Sequence, residues 1–394
     1  MTQPNTPAVP PPHSTARIAA VLPEDLLERF RDRAAGYDAQ NTFCAEDFEE
    51  LVQGGYLKAL IPEAQGGLGF TFPELVAAQR RLAAYAPATA LAVNMHHVWA
   101  AVARSMRAAG AEGFEQVTEE IAAGEVYAFG ISEPGNETVL FDSLTSAQTQ
   151  RDGSVSYSGT KIFTTLSPVW TRLGIFGKDE AGGETPLVFG FLRRESPGWK
   201  SLDDWDVLGM RATQSRTTAL DGAVVEASRV VRRLPTGPNQ DPLVFSIFSS
   251  FLTLIAAVYT GIGDRAVELA AAHIGARRSA MTGELQAEDP VVRYKLAEAR
   301  MQQLSLDAHI RQLSEDVEQR AEHGAQWFPR LVTLRTQATR TAREMVSSAL
   351  ELSGGAHYRR ESELSRLLRD VTAGIHHPSN DDSAHRTIAN ALLG

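Results

Sequence analysis

The run "SVSYSGTKIFTT", residues 154–165, decides how this chain is built. β-Branched and aromatic residues alternate in it with small polar ones, the period of a strand with one buried face. Asp152 and Gly153 stand just ahead of it as a turn. Runs of similar texture, "VYAFGIS", "TRLGIFG", "TPLVFGFL" and "TTALDGAVV", fill residues 126–235 between turn signals such as "RDG" and "EAGG", with no helical period among them. The block therefore reads as a β-domain, expected to be a small antiparallel sandwich or barrel.

On either side the pattern is helical. In residues 23–125, Pro23 followed by Glu24 and Asp25 starts a helix, with acids at the positive end of its dipole. "AEDFEELVQGGYLKA" is a second helix ending at Gly54-Gly55, and "TFPELVAAQRRLAAYAP" a third, stopped by Pro87. A fourth runs from about Ala88 to Ala109 and carries "NMHHVW". After the polar linker "RRLPTGPNQDP", residues 232–242, the helical pattern returns: Leu306, Ile310, Leu313 and Val317 share one face, and a later helix stops at Gly354-Gly355. The expected domains are a disordered tail at 1–22, a helical N-terminal domain at 23–125, the β-domain at 126–235 and a helical C-terminal domain at 236–394, an α+β multidomain fold.

Of the 394 residues 43% are hydrophobic and 22% charged, enough apolar material for a substantial core. A formal charge of −10 with no basic patch argues against nucleic acid or an anionic membrane as partner. The single cysteine, Cys44, excludes an intrachain disulfide and a cysteine-rich metal site, and reads as a buried small hydrophobe in a reducing cytoplasm. The Pro- and Thr-rich start has no apolar core of a signal peptide, and "SIFSSFLTLIAAVY" at 246–259 is shorter than a membrane span, which suits a buried helix. No G-x-G-x-x-G follows a strand, and no Walker loop, H-E-x-x-H or G-x-S-x-G is present.

Three segments could carry chemistry. "FGISEPGNE" at 129–137 ends a strand beside a turn and can offer a hydroxyl and backbone donors to a flat ligand. In "GTKIFTTLSPVW" at 159–170, a strand would put Thr165 on the same side as Phe163. In "DWDVLGMRATQSRTTAL" at 204–220, Gly209 marks a tight bend, while Arg211 either pairs with an acid or sits in solvent. Each alone reads equally as a plain strand or turn. Together, in this order, they resemble the acyl-CoA dehydrogenase superfamily. "ISEPGNE" is similar to its T-E-P-x-A-G-S-D, "GTKIFTT" to its G-x-K-x-W-I-T-N, and "LGMRATQSRTTAL" to its L-G-x-R-x-S-x-T. "ELSGGAHYRRESELSRLLRDV" at 351–371 resembles Q-x-x-G-G-x-G-Y-x-x-E-x-P-x-E-R-x-x-R-D, the most specific of the matches, and the resemblance runs from about 23 to 393.

That resemblance implies a helical N-terminal domain, a central antiparallel β-domain, a C-terminal four-helix bundle, and FAD. Phe129, Ile131 and Ser132 fall where the family lines the flavin ring, Phe163 and Thr165 where an aromatic packs on it and a threonine nears its N5. Arg278, or its neighbour Arg277, matches an arginine that reaches the FAD of an adjoining subunit, and Glu351, Gly354 and Gly355 match the segment holding the adenosine-pyrophosphate part. Asn380, which caps the last helix, is counted with these cofactor-binding residues. A homodimer or homotetramer is implied, with an electron-transfer flavoprotein or a flavin reductase as partner.

The family's catalytic glutamate sits in a Y-E-G-T segment shortly after R-D. Here that segment is His377-Pro378-Ser379-Asn380, so proline replaces the glutamate. The alternative place for a base, "FSIFSSFLTLI", contains no carboxylate, and Asn136-Glu137 replaces the small residues after "EPG", including a serine on the thioester side. His376 and His377 read either as filler ahead of a helix capped by Asn380, Asp381 and Asp382, or as the acid–base group of the site; the second reading is favoured by their place in the chain. His96, beside His97 in "NMHHVW", is a second candidate. The expected activity is FAD-dependent dehydrogenation of an acyl-CoA or related substrate at CH–CH. The alternative is the branch of the superfamily that hydroxylates small substrates with reduced FMN or FAD and oxygen through a flavin hydroperoxide, and that also carries histidine in this loop. A flavin-binding protein without catalysis is the third reading.

Overall fold

Helix starts and stops in the first third follow local chemistry. The computed structural model describes residues 13–181, 185–280 and 282–393. Within them the N-terminal domain comprises α1 (His13–Val21), α2 (Glu24–Gln40), α3 (Ala45–Gln53), α4 (Phe72–Tyr85), α5 (Pro87–Ala108) and α6 (Glu115–Ala123). Thr71 and Glu74 form a reciprocal capping box at the start of α4, and Pro87 both ends that helix and opens α5. α1 corrects the expectation of a disordered stretch up to residue 22. Ile18 and Leu22 are buried in the core, and Arg17 pairs with Glu74 at 3.0 Å, so the segment has partners that its composition did not advertise. Residues 1–12 of the expected tail lie outside the described residues.

The β-domain holds β1 (Tyr127–Gly130), β2 (Ser146–Thr149), β3 (Val155–Thr164), β4 (Arg172–Asp179), β5 (Leu187–Arg193), β6 (Trp199–Ser201), β7 (Arg216–Val225) and β8 (Val230–Leu234). They form one sheet in the order β6-β7-β3-β2-β4-β5-β8, with β1 also on β4. Most pairs are antiparallel, but β1 and β2 both run parallel to β4, so the sheet is mixed. β4 and β5 are buried along nearly their whole length, with Trp99 of α5 against one face and Tyr157 and Val225 of β3 and β7 against the other. Gly174 on β4 permits this: a Cβ there would lie 2.2 Å from the Trp99 ring, whose Nε1 donates to Ala128 O at 2.9 Å.

The C-terminal domain contains α7 (Pro242–Ala276), α8 (Pro290–Gln319), α9 (Trp327–Ser353), α10 (Glu363–Thr372) and α11 (Asp381–Leu393). α7 is the central helix of the molecule, packed on α4, α5, α8 and α9. At 35 residues it is long and apolar enough to cross a membrane, longer than its apolar run suggested, yet 89% of its most apolar window is buried inside the protein.

Candidate active site

A cavity of about 290 Å³ lies where the β-domain meets α7 and α10. β1 and the segment after it contribute Phe129, Ile131 and Ser132, and the end of β3 contributes Phe163 and Thr165. α7 turns Ile247, Phe248 and Phe251 toward it, residues one helical face apart, and the segment after α10 closes it with His376, His377 and Pro378. Seven residues expected from the sequence are thus brought together: Phe129, Ile131, Ser132, Phe163, Thr165, His376 and His377.

The two walls are joined at Gly209. A Cβ there would lie 2.1 Å from Arg369 O, so Gly209 serves a close backbone approach more than a bend. The next residue, Met210, donates its N–H to Asp370 Oδ1 at 2.6 Å. Arg211 is paired, with Asp206 at 2.9 Å and with the carbonyls of Asp38 and Val207. On the sheet side Ser132 is held by its carbonyl, which accepts from Ile162 N–H at 2.9 Å. Glu133 beside it forms a fully buried ion pair with Lys161 at 2.6 Å. Burial opposes both charges, but Lys161 and the hydroxyls of Ser143 and Thr145 hold the Glu133 carboxyl down at about 2. Burial also presses Lys161 to about 8, so the pair remains ionised at neutral pH.

Phe163 and Thr165 share the cavity for a different reason than strand alternation. β3 ends at Thr164, Phe163 has a left-handed φ of 57°, and Thr165 N–H donates to Phe163 O at 2.9 Å, so a tight turn presents both. Thr165 Oγ1 is 2.8 Å from Ser215 Oγ, which is 2.8 Å from Thr213 Oγ1; Thr213 in turn donates to Met210 O at 2.9 Å. Phe129 and Phe251 stack on each other in the cavity wall with centroids 5.7 Å apart and planes 17° apart.

The histidine loop is fixed from below. Arg335 of α9 is buried, and its Nη2 donates to Gly374 O and to His377 O, each at 2.6 Å. The His377 ring packs between Phe251 and Tyr259, and its Nε2 is buried with no partner among the described residues. Burial first, then Arg335 and His376, push this imidazole down to about 3, so it is neutral at pH 7. His376 is exposed at the mouth.

Other expected residues lie elsewhere. His96 does not line the cavity: its Nδ1 accepts from Tyr127 N–H at 3.1 Å and its Nε2 faces Leu57 O at 2.8 Å, a structural clasp between α5 and β1. Burial lowers it to about 4, and α5 offers Leu91 and Met95 to the cavity instead. Asn380 is exposed and accepts from Ser383 N–H at 3.0 Å, which makes it the cap of α11 and not part of the cavity wall. Arg278 donates to Gly283 O, Glu351 pairs with Lys295, and Gly354 sits against Arg277; neither these nor Gly355 line the cavity. Sequence reading missed Trp205, Ser215, Phe248, Phe251 and Arg335. The i, i+3 spacing of the two phenylalanines in "FSIFSSF" was a usable signal, whereas Arg335 in mid-helix gave none. Among the described residues no Asp, Glu or Lys lines the cavity.

The model for the acyl-CoA dehydrogenase N-terminal domain matches residues 23–125, and that for the C-terminal domain matches residues 253–381. Amino sugar nitrososynthase RubN8 of Streptomyces rubradiris is 28% identical over 387 residues, 93% of this chain and 89% of that protein. A dibenzothiophene monooxygenase of Rhodococcus qingshengii is 25% identical over 374 residues, covering 90% of this chain and 88% of the relative. Among solved structures, KijD3 in complex with FMN and dTDP-3-amino-2,3,6-trideoxy-4-keto-3-methyl-D-glucose is similar with a TM-score of 0.86 and 26% identity, over 98% of this chain and 95% of that one.

Proposed function

This chain belongs to the acyl-CoA dehydrogenase family of flavin-dependent oxidoreductases, and from that premise we propose that it is a monooxygenase acting with reduced flavin, not a dehydrogenase of acyl-CoA. One observation carries the reading: no carboxylate lines the cavity among the described residues. Dehydrogenation at CH–CH needs a base strong enough to take a proton from carbon, positioned within hydrogen-bond reach. His377, pushed down to about 3, is a far weaker base than a neutral-range imidazole. The named relatives include an amino sugar nitrososynthase and a dibenzothiophene monooxygenase, which supports the same branch.

The wall suits a flavin ring. It is flat and apolar at Phe129 and Ile131, and Ser132 carries a hydroxyl with no partner among the described residues. Ser132 and Thr165 would hold the ring, with Phe163 packed at the mouth. Reduced flavin, when bound, would supply the activation of molecular oxygen. The chain's own part is to exclude water with Ile247, Phe248 and Phe251, and to keep a neutral, desolvated imidazole at His377. Thr165, chained through Ser215 to Thr213, would keep its hydroxyl in one orientation.

Arg277, Arg278, Glu351 and Gly354 stand away from the cavity, so they would meet the phosphate-bearing end of a flavin held by a neighbouring copy, and we propose a homo-oligomer on that ground. Val291, Tyr294, Met301 and Leu304, exposed along α8, support self-association. A flavin reductase would be the partner, in the reducing cytoplasm that buried Cys44 fits.

The test is direct. Butyryl-CoA added without oxygen to protein loaded with oxidised flavin should leave the flavin spectrum unchanged, and reduced flavin should reoxidise in air at a different rate when the protein is present than when it is free. Bleaching by butyryl-CoA would restore the dehydrogenase reading. A protein that takes up neither FMN nor FAD would return it to binding without flavin chemistry.

A further inference from the structure

Three buried polar atoms meet behind the histidine loop. Nε of Arg335, Oη of Tyr259 and Nε2 of His377 are all buried, and none has a partner among the described residues. They share one small volume. The Tyr259 and His377 rings lie 5.6 Å apart between centroids. A Cβ on Gly374 would stand 3.1 Å from Tyr259 Cζ, the carbon that bears the hydroxyl, and Gly374 O itself accepts from Arg335 Nη2 at 2.6 Å. The same nitrogen holds His377 O. Burial first keeps the Tyr259 hydroxyl protonated far above neutral pH, and Arg335 and Asp370 are the charges that act on it. Asp370 is engaged elsewhere, by Met210 N–H.

Resting on the monooxygenase reading, we propose that one internal water joins these three atoms, and that Tyr259 is thereby a positioning residue that holds His377 in the tautomer with its proton on Nδ1. Hydrogen counting sets the direction. Arg335 Nε can only donate, the phenol has one hydrogen to give, and a neutral imidazole has one donor and one acceptor nitrogen. A water that accepts from Arg335 and from Tyr259 has both lone pairs engaged, so its own hydrogen goes to His377 Nε2. All three protein atoms are then satisfied, by a water with the three partners usual for an internal one. The opposite tautomer would set a second hydrogen, on Nε2, against the same water. The Tyr259 hydroxyl would then have no acceptor, which is costly away from solvent.

The bond made at one ring nitrogen decides what the other can do. Nε2 is the inner nitrogen, so Nδ1 is the one that the ring presents to the cavity it lines. The site thus gains a fixed N–H donor in a wall that has no carboxylate among the described residues. Such a donor suits negative charge developing on an oxygen, and it does not suit taking a proton from carbon. Tyr259 does not itself line the cavity and acts only through His377.

Nitrogen NMR of the full chain, carrying isotope-labelled histidine and with the His377 signal assigned by its loss in His377→Ala, reads the tautomer at neutral pH with or without FMN. The parent should show a protonated Nδ1 and an unprotonated Nε2. Tyr259→Phe keeps the ring that packs on His377 and removes only the hydroxyl. It should lose that preference, and it should move the reoxidation rate of protein-bound reduced FMN in air toward that of free FMN while FMN affinity stays as it was. A parent protonated on Nε2 would overturn the inference without recourse to any variant. So would a Tyr259→Phe protein that keeps the parent's tautomer, or one with an altered tautomer and the parent's reoxidation rate. Bleaching of the flavin by butyryl-CoA would instead remove the monooxygenase reading, while the tautomer is decided by the nitrogen spectra.

Discussion

Arg335→Met probes how the histidine loop is held. The guanidinium is 1% exposed and donates from one nitrogen to two carbonyls, Gly374 O and His377 O, at 2.6 Å each. Hydrogen bonds to a charged donor contribute about 1.5–3 kcal/mol apiece. Part is returned when the buried charge is removed, since burial disfavours this guanidinium enough to lower its own pKa. The contact to exposed Asp381 at 4.0 Å adds little. A net loss of about 2–3 kcal/mol follows, and at about 2 °C per kcal/mol for a large chain the melting temperature should fall by about 4–6 °C. The variant also removes a positive charge that disfavours the imidazolium of His377. Its pKa should rise from about 3, yet burial, the larger cause, should keep it below 6.5. Arg335→Lys keeps the charge on a shorter side chain that falls short of the two carbonyls, so it should melt lower but titrate near the parent. Thermal melting and an NMR titration of His377 check both. A methionine variant that melts within about 1 °C of the parent, with His377 titrating as before, would refute the reasoning.

His377→Ala should lower turnover about a hundredfold while flavin affinity changes little; equal turnover would reduce the histidine to a loop filler. Lys161→Met leaves Glu133 buried without its counter-charge and should cost about 3–5 kcal/mol in urea unfolding, with Lys161→Met/Glu133→Gln recovering part of it. Burial raises Asp370 from 3.8 to about 6, so the folded chain holds that proton more tightly than the unfolded one. The stabilisation is complete below pH 3.8 and is lost as pH rises through 6. Asp370→Asn, whose amide oxygen can still accept from Met210, should flatten that loss, which is on the order of 3 kcal/mol at most. Urea midpoints taken across the window from 3.8 to about 6 measure it, and an unchanged slope would count against the assignment.

The succession of helix, sheet and helix was legible because side-chain period is a local property. Pairing direction is not. Nothing in "VYAFGIS" says that β1 will lie parallel to β4, since that depends on a partner 45 residues away, Tyr127 opposite Arg172. The two histidine doublets show the same limit at the site. His96-His97 and His376-His377 look alike as letters, yet His96 is clasped between Leu57 and Tyr127 and neither ring of that doublet reaches the cavity, while His377 lines it. What separates them is the packing around each ring. Arg335 was hidden in the same way, because a single arginine in a helix reads as solvated until the carbonyls that curl back over it are in view.

The contact at Gly209 also has a temporal side. Met210 and Asp370, which close the cavity between them, are 160 residues apart in the chain. On a ribosome adding about 5–20 residues per second, the sheet waits roughly 8–30 s for the helix that covers it. During that interval Gly209 and Met210 lack the Arg369 and Asp370 backbone and carboxylate that close the cavity, so the site is completed only when the last quarter of the chain has been made.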